Sequence, residues 1–261
     1  MDVGSLFDVR SKRALVTGGS AGIGLMIAEG LVRAGAQVWI CSRKLGAVNQ
    51  AVEQLSPLGN ISGFAADLGT PAGIEAAGAA IDDAGPLHML INNAGATWGA
   101  PVEQFPRAGF EKVLALNLLA PFELVKRLLP ALRMAATLDD PARIINISSI
   151  DGMMSLPIWE NYPYSASKAG VIQLTRHLGK FLAKDNISVN AIAPGIFPSR
   201  MTDGVFDFED PVDQAEIASP LGGRAGQAED IVGGVLYLSS RAGAWLTGIT
   251  LPISGGRGTV S

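Results

Sequence analysis

The stretch NYPYSASKAG, Asn161 to Gly170, sets Tyr164 four residues before Lys168. On a helix, positions i and i+4 share a face, so an ammonium would stand beside a phenol. A phenol with a pKa of about 10 keeps its proton near neutrality, and a neighbouring cation lowers that value. The pair is a candidate acid/base device. Tyr162 has only Ala166 at the same spacing. Pro163 suits the start of a helix, which predicts Tyr162 outside it, as a pocket or packing residue. The plainer reading of Tyr164 is a buried tyrosine with one hydrogen bond.

A second chemical signal is TGGSAGIG, Thr17 to Gly24, set after an apolar run and opening into a helical pattern. Gly18, Gly22 and Gly24 allow a tight turn and close approach of a pyrophosphate. The helix start, with Ser20, Ala21 and Ile23 around it, offers free N–H groups and a positive dipole end. A glycine-rich turn that binds nothing is the bland alternative, but the strand–turn–helix context favours phosphate. No GKS or GKT follows, so the loop is not a P-loop.

These signals need a frame to hold them. RALVTGG, AQVWICS, ISGFAA, HMLINNAG, ARIINIS, ISVNAIAPG and ITLPIS read as seven short strands, several of them apolar throughout, as parallel strands covered on both faces are. Between them lie amphipathic stretches at 23–34, 45–55, 71–84, 110–135, 164–184 and 228–239. The alternation predicts an α/β fold, a single-domain doubly wound parallel sheet of about seven strands with helices on both faces. It spans 1–261 without a linker or repeat. The stretch 197–226 mixes Phe197, Met201, Val205, Phe206 and Phe208 with Asp, Pro and Gly and reads as a substrate lid.

Composition narrows the function. Hydrophobic residues make up 48% of the 261 and charged ones 17%, with a net charge of −4; no basic run suggests nucleic acid. One cysteine, Cys41, excludes an intrachain disulfide, and a reducing cytoplasm is the simplest setting. The amino-terminal segment lacks the apolar core of a secretory signal, and no run is long enough to span a membrane. Two histidines and one cysteine argue against a dedicated His/Cys metal site.

Six motifs in order resemble the short-chain dehydrogenase/reductase family along nearly the whole chain. TGxxxGIG matches Thr17 to Gly24, and NNAG matches Asn92 to Gly95, including Asn93 and Ala94. Asn117 lies in LALNLLAPF, Ser149 in INISSIDG, and YxxxK is Tyr164 to Lys168. Pro194-Gly195, with Ile196 after it, follows the sixth strand. The resemblance implies an oxidoreductase using Asn117, Ser149, Tyr164 and Lys168. Ser149 rather than Ser148 fits the S-x-x-G spacing and would bond the substrate oxygen. Lys168 would lower the tyrosine pKa and hold the nicotinamide ribose, and Asn117 would hold a relay water.

The cofactor choice lies after the second strand. An aspartate there would accept the ribose hydroxyls of NAD, whereas a basic group would accept the 2′-phosphate of NADP. The chain has Ser42, Arg43 and Lys44, which favours NADP(H), although Ala21 replaces the basic residue common in the glycine loop of such relatives. Asp67, with Leu68 beside it, matches the family aspartate near the adenine; its alternative is a cap for the helix from Pro71.

For the substrate, Met153, Met154, Leu156, Ile158, Trp159, Trp98, Phe197, Met201 and Phe206 suggest an apolar pocket, with subunit contact or core as the alternative. PGIFPSRMT and the AATLDDPAR loop resemble the β-ketoacyl reductase branch associated with rhamnolipid production. The resemblance thus implies a small-molecule carbonyl substrate, with an NAD-dependent alcohol or polyol dehydrogenase and an idle NADP-binding sensor as alternatives. Asp139, Asp140 and Asp185 speak against an acidic acyl carrier protein as partner. Ser254 in PISGG stands where the family commonly has aspartate. Helices 110–135 and 164–184 are apolar on more than one face, and in the resembled family they pair copies into a homotetramer.

Overall fold

The computed structural model describes residues 3–154, 160–199, 202, 207, 210 and 218–258. Its centre is a sheet of seven parallel strands in the order β3-β2-β1-β4-β5-β6-β7. The strands are β1 (Arg13–Thr17), β2 (Gln37–Ser42), β3 (Ile61–Ala65), β4 (Met89–Asn92), β5 (Ala142–Ile147), β6 (Ile187–Pro194) and β7 (Thr250–Ile253). Helices α1 (Gly22–Arg33), α2 (Leu45–Leu55), α3 (Pro71–Asp82), α4 (Arg107–Leu114), α5 (Ala120–Ala135), α6 (Tyr162–Leu182) and α7 (Ala228–Ser239) connect them. The strand order reverses direction at β1, where β2 lies on one side and β4 on the other. The crevice beyond the carboxyl ends of those strands is where such folds bind ligands.

Two apolar layers hold the sheet. One gathers Ala14 and Val16 of β1 with Ile27 and Leu31 of α1, Val48 of α2 and Ile231 and Val235 of α7. The other gathers Leu15 of the same strand with Ile74 and Ile81 of α3 and Leu124, Leu128 and Leu132 of α5. Alternate residues of one strand thus serve opposite faces. Every residue of β5 and β6 is buried, as strands covered on both faces are, and their polar residues Arg143, Asn146, Ser188 and Asn190 are buried with the rest. Each fully buried Leu or Ile contributes roughly 1.5–3 kcal/mol.

Two sequence expectations change. The stretch 110–135 is not one regular helix: α4 starts three residues earlier, at Arg107, and a π turn, Ala115–Leu119, separates it from α5. Such a widened turn accommodates one extra residue per turn. The cause is visible in Asn117, whose side chain is drawn out of the ladder to the backbone of Ala96. Helix α6 begins at Tyr162, not after it, because the Asn161 carbonyl already accepts the Tyr164 N–H at 2.8 Å. Pro163 still sits in the first turn, where its missing N–H costs nothing.

No helix among the described residues is long and apolar enough to cross a membrane. Of the expected lid, Met201, Val205, Phe206 and Phe208 lie outside the described residues, as do Leu156, Ile158 and Trp159 of the expected pocket.

Candidate active site

A cavity of about 370 Å³ opens at the carboxyl ends of β1, β4, β5 and β6. One wall is the glycine turn, contributing Gly18, Ala21, Gly22, Ile23 and Gly24. Gly18 and Gly22 have φ of +67° and +53°, a region that L side chains rarely adopt. A Cβ on Gly24 would lie 2.3 Å from the Gly18 carbonyl, so the turn can fold back on its helix only without one. Asn93 braces this turn from β4: its Nδ2 donates to the Thr17 carbonyl at 2.9 Å, while its N–H and that of Ala94 donate to Thr17 Oγ1. No side chain caps the first turn of α1. Its N–H groups therefore face the cavity as a cradle that suits a pyrophosphate.

The opposite wall carries the titratable groups. Ser149, Tyr164 and Lys168 all line the cavity. The two serines differ sharply. Ser148 is buried and donates to the Lys168 carbonyl at 2.8 Å, so it ties β5 to α6. Ser149 Oγ accepts the Asp151 N–H at 3.1 Å, which leaves its own hydrogen to donate into the cavity. Tyr164 keeps some surface as a residue, yet desolvation dominates at its hydroxyl. Burial pushes the phenol up to about 12; a hydrogen bond with Ser149 opposes this and the charge of Asp151 adds to it. Lys168 is buried, and desolvation pulls its amine down to about 8. Its Nζ donates to the Ile147 carbonyl at 2.8 Å and stands 5.5 Å from the centre of the Tyr164 ring.

The expected lowering of the tyrosine pKa by Lys168 is thus absent in this arrangement. The physical reason is burial, which favours the neutral form of both groups. Tyr162 sits outside the cavity, with Phe105 edge-on at 5.7 Å and its hydroxyl donating to Glu160. The identity of the tyrosine that faces the cavity therefore agrees with the helix-face reading.

Asn117 is not in the cavity lining. Both of its amide hydrogens are engaged, with the Ala96 carbonyl and Ser167 Oγ, and its oxygen accepts the Ala96 N–H. It braces the loop after β4 against α6, since Ser167 in turn donates to the Tyr164 carbonyl.

Among the other expected cofactor residues, Gly95, Asn93 and Ala94 join the lining from β4, and Pro194, Gly195 and Ile196 from β6. Ser20, Ser42, Arg43, Asp67 and Leu68 lie beyond it. Ser20 Oγ donates to Ser42 Oγ at 3.0 Å, joining the glycine turn to the end of β2, with Arg43 and Lys44 exposed beside them. Asp67 accepts the Gly69 N–H, whereas Thr70 caps α3; the capping alternative for Asp67 is wrong because Thr70 is one residue before the helix. Leu68 is core.

Of the described residues of the expected apolar pocket, Phe197 lines the cavity and Met153, Met154 and Trp98 do not. Ile147, Ile150, Ile196 and Phe197 line the cavity. Trp98 instead packs on Gly109 beneath Lys112. Four polar lining residues escaped the sequence reading: Thr97, Asn161, Ser199 and Thr202. Ser199 and Thr202 had a signal, as hydroxyls in the stretch following Pro194-Gly195. The acidic residues read as hostile to a carrier protein are largely paired: Asp140 with Lys12 and Arg143, and Asp185 with Arg133.

The profile of the family described as short chain dehydrogenase matches residues 12–210. The rhamnolipids biosynthesis 3-oxoacyl-[acyl-carrier-protein] reductase of Pseudomonas aeruginosa is 41% identical over 251 residues, 96% of this chain and 97% of that protein. Gluconate 5-dehydrogenase of Gluconobacter oxydans is 33% identical over 257 residues, with 96% of each chain covered. Among solved structures, the Pseudomonas aeruginosa RhlG/NADP active-site complex superposes with a TM-score of 0.92 at 41% identity, covering 97% of this chain and 99% of that one. A variant of actinorhodin polyketide ketoreductase with NADPH gives a TM-score of 0.85 at 30% identity, covering 96% and 98%.

Proposed function

The chain belongs to the short-chain dehydrogenase/reductase family, and from that premise we propose that it reduces a ketone to a secondary alcohol with NADPH. The observation that carries the reading is the convergence of Ser149, Tyr164 and Lys168 on one cavity wall. The Tyr164 phenol opens on the cavity and is held protonated, up to about 12, by burial. A protonated phenol is the form that can give a proton to a carbonyl oxygen, and the ketoreductase relatives support that direction.

Bound along the glycine cradle, the reduced nicotinamide would supply the hydride. Ser149 donates a hydrogen bond to the carbonyl oxygen, fixing it near the phenol. Tyr164 passes its proton to that oxygen as negative charge develops there. Lys168, at about 8, carries a proton in much of the population at neutral pH and lies one turn from Tyr164. It is placed to hold the nicotinamide ribose and to stabilise the phenolate left behind. Asn117 acts through bracing of the loop and helix.

The relatives that bind NADP, together with exposed Arg43 and Lys44 beside Ser42, support NADP(H) over NAD(H). The apolar lining by Ile147, Ile150, Ile196 and Phe197 and the 3-oxoacyl reductase relative support an apolar ketone, with 3-oxoacyl thioesters first. A cytoplasmic setting agrees with Cys41, a buried free thiol that burial pushes up to about 12. Loss of nicotinamide absorbance tests the reading, using thioester, carrier-bound, cyclic and sugar ketones with NADPH and NADH. NADPH-dependent turnover of 3-oxoacyl thioesters is expected; turnover of sugars alone with NADH would overturn it.

Assembly into a homotetramer is part of the same reading. Phe110, Leu119, Phe122 and Phe181 remain exposed on the outer faces of α4, the π turn, α5 and α6, apolar surface that a second copy would cover. Light scattering at micromolar protein reads this directly, and an active monomer would refute it.

A further inference from the structure

Asp151 is buried between the serine and the tyrosine, yet the reduction scheme above gives it no part. It lies in the short turn Ile150–Gly152, between β5 and the first turn of α6. Two of its groups reach opposite sides of the site. Its backbone N–H donates to Ser149 Oγ at 3.1 Å, and its Oδ2 accepts from Ser165 Oγ at 2.7 Å. Ser165 is the residue after Tyr164. The turn is also pressed directly onto the helix: a Cβ on Gly152 would lie 2.5 Å from the Lys168 carbonyl carbon. A carboxylate in such a place loses solvation, and a composition chosen for packing alone would set an apolar residue there.

We propose that Asp151 is a positioning residue for proton transfer: it joins Ser149 to the Tyr164 turn as one rigid unit and keeps a negative charge beside the phenol. The inference rests on the Ser149–Tyr164 reading of the preceding subsection. The link through Ser165 fixes the distance between the hydrogen-bond donor and the proton donor, the quantity to which such chemistry is most sensitive. The negative charge adds a separate effect: Asp151 raises the proton affinity of the Tyr164 phenol, which makes the phenol a weaker acid and its phenolate a stronger base. The groups that face that phenol are Asp151 from the turn after β5, Lys168 from its own helix, and the uncharged Ser149.

The test is the pH profile of kcat/KM for alcohol oxidation and ketone reduction in Asp151→Asn, with Ser165→Ala and Tyr164→Phe alongside. Asparagine keeps the shape and an oxygen for Ser165 but removes the charge. Its oxidation profile is expected to move about one pH unit lower, with NADPH affinity unchanged. Ser165→Ala is expected to lower kcat several-fold without moving the profile, because the charge remains; it also keeps the link testable if Asp151→Asn folds poorly. An unmoved profile in Asp151→Asn, or full kcat in Ser165→Ala, overturns the inference while a dead Tyr164→Phe leaves the tyrosine reading standing. An active Tyr164→Phe overturns both.

Discussion

The two ends of the sheet each bury a cation, and they treat it differently. At the amino end, Arg143 of β5 is 1% exposed and its guanidinium meets Asp140 at 2.6 Å and the Ser240 carbonyl at 2.9 Å. Lys12 closes on the same carboxylate at 2.8 Å. At the carboxyl end, Lys168 is 4% exposed, and the partner of its amine is a backbone carbonyl. Compensated burial produces a structural lock; burial without a carboxylate shifts the pKa into the working range, here about 8. The same strand, β5, thus ends in a fixed charge at one side of the molecule and leads to a movable proton at the other.

Breaking the lock should have the largest effect on stability. Asp140→Ala strands the Arg143 charge in the interior and is expected to cost about 3 kcal/mol, the lower part of the usual range because Asp140 is about a third exposed. Chemical denaturation reads the loss, and kcat should not change. The pH dependence gives a second reading. Burial opposes ionisation of Asp140, but hydrogen bonds from Lys12 and Arg143 outweigh it and hold the carboxyl below 3.8. That contribution is present above the unfolded value and disappears as pH falls through the folded one. His88, lowered from 6.5 chiefly by burial, binds its proton more readily when unfolded, so stability already declines as pH falls through 6.5. Asp140→Asn should weaken the acid branch below pH 4, to which Asp8, Asp82 and Asp230 also contribute, and keep the branch through 6.5.

At the other end, removing the buried cation is predicted to stabilise. Lys168 falls from 10.5 to about 8 through burial, so at this group the unfolded chain binds more protons between those values and its contribution to stability rises with pH there. Cys41 and Tyr164, both raised to about 12 mainly by burial, pull stability down as pH rises through their unfolded values. The comparison with Lys168→Met isolates the lysine. At pH 7 the variant should be the more stable by about 3 kcal/mol, with the advantage vanishing by pH 10.5. A variant less stable than wild type at pH 7 would show that the amine is compensated after all.

How legible each end was in the sequence follows from the range of its contacts. The Tyr164–Lys168 spacing is local, and so is the strand–turn–helix context of Gly18, Gly22 and Gly24; both placed their residues in the cavity. Helices α2 and α7 end where their periodicity ends. Arg143 in ARIINIS and Asp140 three residues before it were also within reach as a pair, but a charged residue in an apolar strand gives no direction to its partner. Asn117 shows the limit plainly. Its partners, Ala96 and Ser167, are 21 and 50 residues away, and the π turn it produces leaves no periodic trace. The Ser165–Asp151 contact likewise exists only once β5 and α6 are packed together. Desolvation, which sets the proton affinities of Tyr164 and Lys168, is a property of the assembled cavity and of no single stretch.

The most direct test of the proton-transfer assignment compares two tyrosines two residues apart. NADPH-dependent reduction of a 3-oxoacyl thioester should be measured for Tyr164→Phe and Tyr162→Phe, with NADPH binding followed by fluorescence in both. Tyr164→Phe should lose kcat by about 10³-fold or more, within the usual range for removing a positioned proton donor, while still binding NADPH. Tyr162→Phe, whose ring faces Phe105 outside the cavity, should keep most of its activity. The reverse pattern, an active Tyr164→Phe with a dead Tyr162→Phe, would contradict the assignment.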